Sequence, residues 1–145
     1  MSSFESQLDT ELRKMEILFS YESHKFTLQK RITYRPDFVL PTCKVKGKTV
    51  LLEPHGIWTQ KTRRRVNLGR KSFTIYALPP KLDRFEIQFT EKLRLFREMY
   101  GKDYYVILLV PNQVLDRVQK NYRPSYDAIY MSADIPDVLY QLKKL

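Results

Sequence analysis

Two acidic residues at the ends of strand-like segments are the strongest candidates for metal chemistry in this chain. Asp37 follows Pro36 inside the segment 33–41, and Glu53 comes sixteen residues later, directly after the apolar run 49–52. Carboxylates at the ends of adjacent strands can converge on one ion, with strand carbonyls completing its shell. Such hard oxygen ligands suit Mg²⁺ or Mn²⁺. The pair therefore predicts a divalent-cation site that could activate water and neutralise charge on a phosphate.

A basic segment follows these acids closely. Residues 59–71 contain six cations and no acidic residue, which predicts a charged loop or a twisted hairpin that contacts phosphates. The alternative is a merely solvated face. Three aromatic side chains, Trp58, Phe73 and Tyr76, flank the segment and could either stack on bases or belong to the core. The candidate nucleic-acid-binding residues are Arg35, Lys61, Arg63, Arg64, Arg65, Arg70 and Lys71.

The overall charge of the chain indicates which kinds of partner it can bind. The chain carries a formal charge of +10, from 26 Lys and Arg against 16 Asp and Glu, so its field attracts polyanions. DNA is the first partner to expect and RNA the second. No apolar run approaches the ~20 residues that span a bilayer, so no membrane is expected, and peripheral membrane binding is the weaker alternative.

The start of the chain and its cysteine usage bear on the compartment. Residues 1–5 lack the basic start and apolar block of a secretory signal. The one cysteine, Cys43, cannot form an internal disulfide, which fits a reducing environment. We expect a cytoplasmic protein, nucleoid-associated in a cell or in the host cytoplasm if viral.

Helical periodicity is clearest near the N-terminus and in the middle of the chain. Apolar residues at steps of three and four predict a first helix over about 3–16, with a capping box at Ser2 and Glu5. A second stripe from Phe85 to Tyr100 predicts the strongest helix. It starts at Asp83, whose spacing to Glu86 fits another capping box, and Gly101 closes it.

Strand-like patterns fill the remaining segments. Two strands are expected between 26 and 41, separated by a break near 29–31, and the second ends at Pro41. A turn at 46–48 and a buried strand over 49–52 follow, which together give a three-strand meander. Pro54 should stop pairing on one side. The run 104–110 predicts a buried parallel strand, and a helix, a strand and a helix follow over 112–120, 127–131 and 134–144. A chain of 145 residues fits a single domain.

The order of elements and the acidic residues resemble the PD-(D/E)XK nuclease superfamily, most closely its compact members: Holliday-junction resolvases and mismatch-nicking and transposon-type endonucleases. That family has an αβββαβ core with a glutamate in helix one, an aspartate after proline on the second strand, and (D/E)-X-K on the third. Here Glu5, Pro36-Asp37 and Glu53-Pro54-His55 stand in those places. The resemblance implies an α/β fold with a central mixed sheet flanked by helices, a restriction-endonuclease-like core over about 2–110, and an α-β-α extension over 111–145.

The resemblance also implies roles for residues. Asp37, Glu53 and the main-chain carbonyl of Pro54 would hold the metal ion, and Glu5 would be either a helix cap or a catalytic residue that assists through water. His55 replaces the family's lysine. It follows Glu53 by two, so it points to the same strand face, and with an ordinary pKa near ~6.5 it could act as general base or position the water. A lysine such as Lys61 could instead enter from the following loop.

The function that the resemblance implies is an Mg²⁺- or Mn²⁺-dependent endodeoxyribonuclease that hydrolyses phosphodiester bonds. The absence of a second domain suggests either selectivity for DNA structure or a homodimer acting on two strands. The main alternative is a catalytically degenerate protein of the same fold that binds DNA or RNA without cleaving it. A basic structural or membrane-peripheral protein is the remaining alternative.

Overall fold

The computed structural model describes residues 1–56, 62–77 and 84–145, and within them the side chains of 30, 62–64 and 75–77 are not described. The described part is a mixed α/β structure with a five-stranded mixed sheet, two separate two-stranded sheets and four α-helices. This agrees with the predicted class of a central mixed sheet flanked by helices.

The first helix, α1, spans Ser3–Lys14. Its predicted capping box is present: the Glu5 N–H donates to Ser2 Oγ at 3.2 Å, and the Ser2 N–H donates to Glu5 Oε2 at 3.4 Å. Leu8 and Leu12 of the predicted stripe are fully buried against the sheet. The helix ends two residues earlier than expected.

Within the described ranges, nine strands follow α1. They are β1 (Ser20–Tyr21), β2 (Phe26–Thr27), β3 (Thr33–Tyr34), β4 (Phe38–Val45), β5 (Lys48–Pro54), β6 (Thr62–Leu68), β7 (Lys71–Ala77), β8 (Tyr104–Val110) and β9 (Ala128–Met131). The main sheet has the order β1-β4-β5-β8-β9, while β2 pairs with β3 and β6 pairs with β7. Strands β4 and β5 are antiparallel, and β5, β8 and β9 are parallel.

Two details of the predicted meander are wrong. The third strand beside β4 is β1, not the segment after Phe26, which pairs with β3 in a small sheet of its own. Pro41 does not end its strand either, because β4 continues to Val45 through a register shift between Leu40 and Lys44. An irregularity of this kind accommodates a residue that has no N–H for the ladder.

The turn between β4 and β5 and the end of β5 agree with prediction. Lys46 and Gly47 both have positive φ, at 53° and 77°, as a tight hairpin turn requires. Pairing between β5 and β4 stops at Leu52, short of Pro54, whereas pairing with β8 runs through Pro54 to Leu109. Near Pro54, β5 therefore has no strand partner on its β4 side, although it is still paired with β8 on the other side.

The helix α2 spans Arg84–Tyr100, and the helices α3 and α4 span Leu115–Asn121 and Ile135–Lys143. Gly101 is required after α2 because a Cβ there would lie 2.2 Å from the Arg97 carbonyl oxygen. The predicted capping box at the start of α2 involves Asp83, which lies outside the described residues. Phe85 at the head of the predicted stripe is 78% exposed, so the buried stripe begins further along the helix.

The helices cover both faces of the main sheet. One core joins α1 and α4 to alternate strand residues such as Phe38 and Leu52, and the other joins α2 and α3 to the residues between them, such as Val39 and Leu51. The segment 111–145, predicted as an extension, continues the same sheet through β9 and covers it with α3 and α4. None of the helices in the described ranges is both long enough and apolar enough to cross a bilayer.

Candidate active site

Asp37 and Glu53 lie next to each other where the adjacent ends of β4 and β5 meet, at one end of these interior strands of the main sheet. Phe38 and Leu52 are the last paired residues of the two strands, and one further step in the same register sets Asp37 opposite Glu53. Side chains alternate between the two faces of a strand, so Asp37 and Glu53 lie on the same face of the sheet as Val39 and Leu51, two residues away from them. This is the face that α2 covers. Both side chains line a cleft of about 730 Å³.

Glu53 is held in place by two hydrogen bonds. Its side chain is only 3% exposed, and its Oε1 accepts the Tyr34 hydroxyl and, at 3.0 Å, the main-chain N–H of Asp37. Tyr34 is itself buried, against the ring of Phe96 in α2. Both bonds use Oε1, so Oε2 is the oxygen that remains for a cation.

The two carboxyl groups share an environment that disfavours negative charge. Burial, followed by the charges of Glu5 and Glu22, raises the pKa of Asp37 to about 7, against the opposing effect of a side-chain hydrogen bond with Glu53. Burial and then the charge of Asp37 raise the pKa of Glu53 well above its usual value, although the bond from Tyr34 acts in the other direction. A cation between the carboxylates would replace this repulsion with attraction.

Glu5 lies in the same cleft while it also caps α1. Its Oε2 accepts a hydrogen bond from the Tyr21 hydroxyl, and its charge raises the pKa values of both Asp37 and Glu53. The two readings of Glu5 are therefore compatible in space, because one carboxylate reaches the helix N-terminus and the acidic pair together.

His55 continues β5 into the cleft, on the side of α2. Its main-chain N–H donates to the Leu109 carbonyl at 3.0 Å. Its imidazole stacks on the Phe89 ring, with 3.9 Å between the ring centroids and 12° between the ring planes. Pro54 and Lys92 also line the cleft. The Phe89 contact fixes the plane of the imidazole beside the acidic pair.

The predicted nucleic-acid-binding residues fall into two places. Arg35 is exposed at the cleft, where its Nη1 donates to the Glu22 carbonyl at 3.4 Å. Arg65, Arg70 and Lys71 are exposed on the hairpin formed by β6 and β7, so the hairpin alternative of the prediction is correct for the described part of the segment, 62–71.

Several predicted contacts fall where no side chain is described. Arg63, Arg64 and Tyr76 have strand backbone but undescribed side chains, and Lys61 and Trp58 lie outside the described residues. Phe73 is 47% exposed, which rules out the core alternative for that ring.

Sequence reasoning missed four contributors to the site. Tyr34 and Tyr21 hold the carboxylates of Glu53 and Glu5, and Glu22 raises the pKa of Asp37 from a segment without recognisable periodicity. Lys92 was open to prediction, because it lies three residues after Phe89 and so on the same face of a strongly periodic helix.

The oxygen donors of the cleft suit the divalent cation that the family resemblance implies. Over residues 1–56, 62–77 and 84–145, no three His, Cys, Asp or Glu side chains are grouped as a ready-made metal site. The cleft offers instead the buried carboxylate of Glu53 and the half-buried carboxylate of Asp37, with the Pro54 carbonyl on a strand side that has lost its pairing. These are hard oxygen donors of the kind that Mg²⁺ and Mn²⁺ accept, with water filling further positions. The residues present therefore fit a two-carboxylate site.

Comparison with known proteins gives no family for this chain. No protein-family model, curated protein or solved structure matches it.

Proposed function

We propose that the protein is a divalent-metal-dependent endonuclease that hydrolyses phosphodiester bonds in DNA, with a core of the PD-(D/E)XK type. One observation carries this proposal. Asp37 and Glu53 converge where the ends of β4 and β5 meet, and burial together with the charges of neighbouring carboxylates raises the pKa of each. An arrangement that is unfavourable for two bare carboxylates becomes favourable when Mg²⁺ or Mn²⁺ binds between them.

The residues of the cleft supply what phosphodiester hydrolysis needs. A bound ion would activate water and neutralise charge on the scissile phosphate. Asp37 and Glu53 hold it, with the Pro54 carbonyl as the main-chain donor. Glu5 orients water at the rim of the site, where it lies beside both acids.

His55 and Lys92 together take the roles of the motif lysine, which the PD-(D/E)XK family has at the position of His55. His55 follows Glu53 on the same strand face, and its stacked imidazole orients or deprotonates the attacking water. Lys92, half-buried in α2 and lining the same cleft, places an ammonium group where the phosphate charge develops. Arg35 at the rim contacts the substrate backbone.

The second candidate is a protein of this fold that binds DNA or RNA without cleavage. The histidine at position 55 favours it, because a neutral imidazole gives less electrostatic help than an ammonium on the same strand. The surplus of 26 basic over 16 acidic residues supports both candidates equally.

Plasmid nicking separates the two candidates. Supercoiled DNA is incubated with Mg²⁺, Mn²⁺ or EDTA and with wild type, Asp37→Ala or His55→Lys. We expect metal-dependent nicking by wild type and none by Asp37→Ala. If no protein, His55→Lys included, nicks DNA with either metal while all retain duplex affinity, the binder is the correct function.

A further inference from the structure

No described side chain of the β6–β7 hairpin belongs to either of the two cores. Its strands pair with each other over seven residues each, from Thr62 opposite Ala77 to Leu68 opposite Lys71, and belong to neither the main sheet nor the β2–β3 sheet. From Asn67 to Thr74 every residue is exposed. Both faces of the ribbon are therefore in solvent over that stretch.

One face of this ribbon carries aligned polar groups. Arg65 lies opposite Thr74 and Asn67 lies opposite Ser72, so the four side chains share a face. Arg65 Nε donates to Ser72 Oγ at 3.0 Å, and that hydroxyl donates to Asn67 Oδ1 at 2.6 Å. The chain of bonds fixes the guanidinium through Nε. Within the described ranges its two terminal nitrogens have no hydrogen-bond partner, and they form the fork that pairs with a guanine edge.

The tip of the ribbon carries charge. Gly69 has φ of 62° in the two-residue turn between the strands, and Arg70 and Lys71 are exposed beside it. Two strands lie ~5 Å apart, and the major groove of B-DNA, ~12 Å wide, admits such a ribbon. Cations at the tip would then meet the phosphates that border the groove.

Chain connectivity ties the ribbon to the cleft at both ends. Gly56 lines the cleft, and five residues join it to Thr62, which limits the separation to roughly 20 Å. At the other end six residues join Ala77 to α2, which carries Phe89 and Lys92. A ribbon so close can hold the duplex within one helical turn, ~34 Å, of a phosphate in the cleft.

We propose that the polar face of the β6–β7 hairpin enters the major groove of double-stranded DNA, so that the substrate is a B-form duplex. This inference rests on the proposed function for its location beside a cleavage site. The deep, narrow major groove of A-form RNA would not admit the ribbon, and a single strand has no groove. Duplex DNA is thereby favoured over both.

The test measures equilibrium binding in EDTA, where cleavage cannot contribute. Fluorescence anisotropy compares a 20-base-pair DNA duplex, the same sequence as duplex RNA, and one DNA strand, at fixed salt. We expect the DNA duplex to bind about tenfold more tightly than either competitor. Glucosylated 5-hydroxymethylcytosine, which fills the major groove, should weaken binding about tenfold, whereas netropsin in the minor groove should change it little.

Three variants test whether duplex binding depends on the polar face of the hairpin. Arg65→Gln should weaken duplex binding about tenfold and Asn67→Ala about fivefold, since each removes a groove contact. Lys46→Gln, an equal loss of charge at the far end of β5, is the matched control and should change affinity less than about twofold. Unchanged melting temperatures would show that the variants fold.

The outcomes distinguish this inference from the proposed function. Equal affinity for glucosylated and plain duplex, equal affinity for RNA duplex, or an equal effect of Lys46→Gln and Arg65→Gln would overturn the groove-binding inference, while metal-dependent nicking could still stand. Groove-dependent binding without nicking by any variant would overturn the nuclease and leave the ribbon as a DNA-binding element.

Discussion

The main-chain N–H of Asp37 donates a 3.0 Å hydrogen bond to Oε1 of Glu53, so the backbone of one candidate ligand positions the side chain of the other. This bond links the ends of two neighbouring strands and does not involve the carboxyl group of Asp37. The charge of Asp37 can therefore be removed while Glu53 keeps this contact.

Asp37→Asn and Glu53→Gln should each lower metal-dependent cleavage about a thousandfold, because each removes an anionic oxygen from the site. Duplex affinity in EDTA should stay equal or become tighter, since a negative charge near the phosphate is lost. Asp116→Asn is the matched control, on an exposed carboxylate of α3 paired with Lys120. Initial rates of plasmid nicking, measured beside anisotropy, would contradict the assignment if either variant cleaved like the control.

The stability of the metal-free protein should fall as pH rises from about 4 to about 7. Asp37 has a pKa of about 7 in the folded protein against a usual 3.8, so between these values the folded state binds more protons than the unfolded chain. Deprotonation then favours unfolding, and the loss levels off above the folded-state pKa. Glu53 acts in the same direction because its pKa is also raised.

Thermal unfolding of wild type and Asp37→Asn across this range tests the effect. The variant should melt several degrees higher at pH 8, at about 2–4 °C per kcal/mol for a chain of this size, and the two should converge near pH 4. Mg²⁺ should stabilise wild type more at pH 8 than at pH 5, because protons compete with the ion. A difference between the proteins that does not change with pH would contradict the raised pKa.

Tyr34→Phe should weaken metal binding roughly 10- to 100-fold, because the hydroxyl orients the Glu53 carboxylate and opposes the rise of its pKa. The pH at which Mn²⁺ binds half-maximally should shift upward. Tyr126→Phe is the matched control, since Tyr126 is also a buried tyrosine but packs beside α3. Calorimetric Mn²⁺ titrations at several pH values give both quantities, and equal affinities for the two variants would show that Tyr34 only packs.

The shared face of the acidic pair was predictable because it depends on a local rule, the alternation of side chains along a strand. The pairing of Asp37 with Glu53 was not, because residues 41–43 shift the register that the tight turn at 46–47 starts, and that shift sets the two residues opposite each other. The same alternation carries His55 to that face. Period and turn chemistry act over a few residues, so a sequence displays them directly.

Contacts between distant segments were not predictable. The edge strand beside β4 is only Ser20–Tyr21, too short for a periodic signal, and yet it brings Tyr21 to Glu5. Glu86 has the spacing of a helix cap, but in the fold it is buried and pairs with Arg117, which lies 31 residues away. Propensity and spacing do not encode which surfaces meet after the chain has folded.

Lys92→Gln should lower cleavage roughly a hundredfold, the loss typical of one donor aimed at developing charge, with a smaller effect on duplex affinity. Lys92→Arg should retain part of the activity, because it keeps a cation with a different geometry. Lys120→Gln serves as control, a helical lysine with 71% of its side chain exposed. Single-turnover rates separate chemistry from binding, and a loss confined to affinity would place Lys92 among the binding residues instead.

The buried ion pair between Arg117 and Glu86 should hold α3 against α2, the helix that carries Phe89 and Lys92. The two terminal guanidinium nitrogens of Arg117 donate to the Glu86 carboxylate at 2.9 Å, and the side chains are 10% and 2% exposed. Arg117→Met should destabilise the protein by about 3–5 kcal/mol, because it leaves a buried carboxylate without its cation.

The double variant Arg117→Met with Glu86→Leu should recover most of that loss, since two apolar side chains of similar volume leave no uncompensated charge. Urea unfolding of the two single variants and the double variant gives the coupling free energy of the pair. Additive losses would show that the two groups do not depend on each other. A recovered double variant that still nicks DNA would show that this ion pair stabilises the fold without taking part in the chemistry.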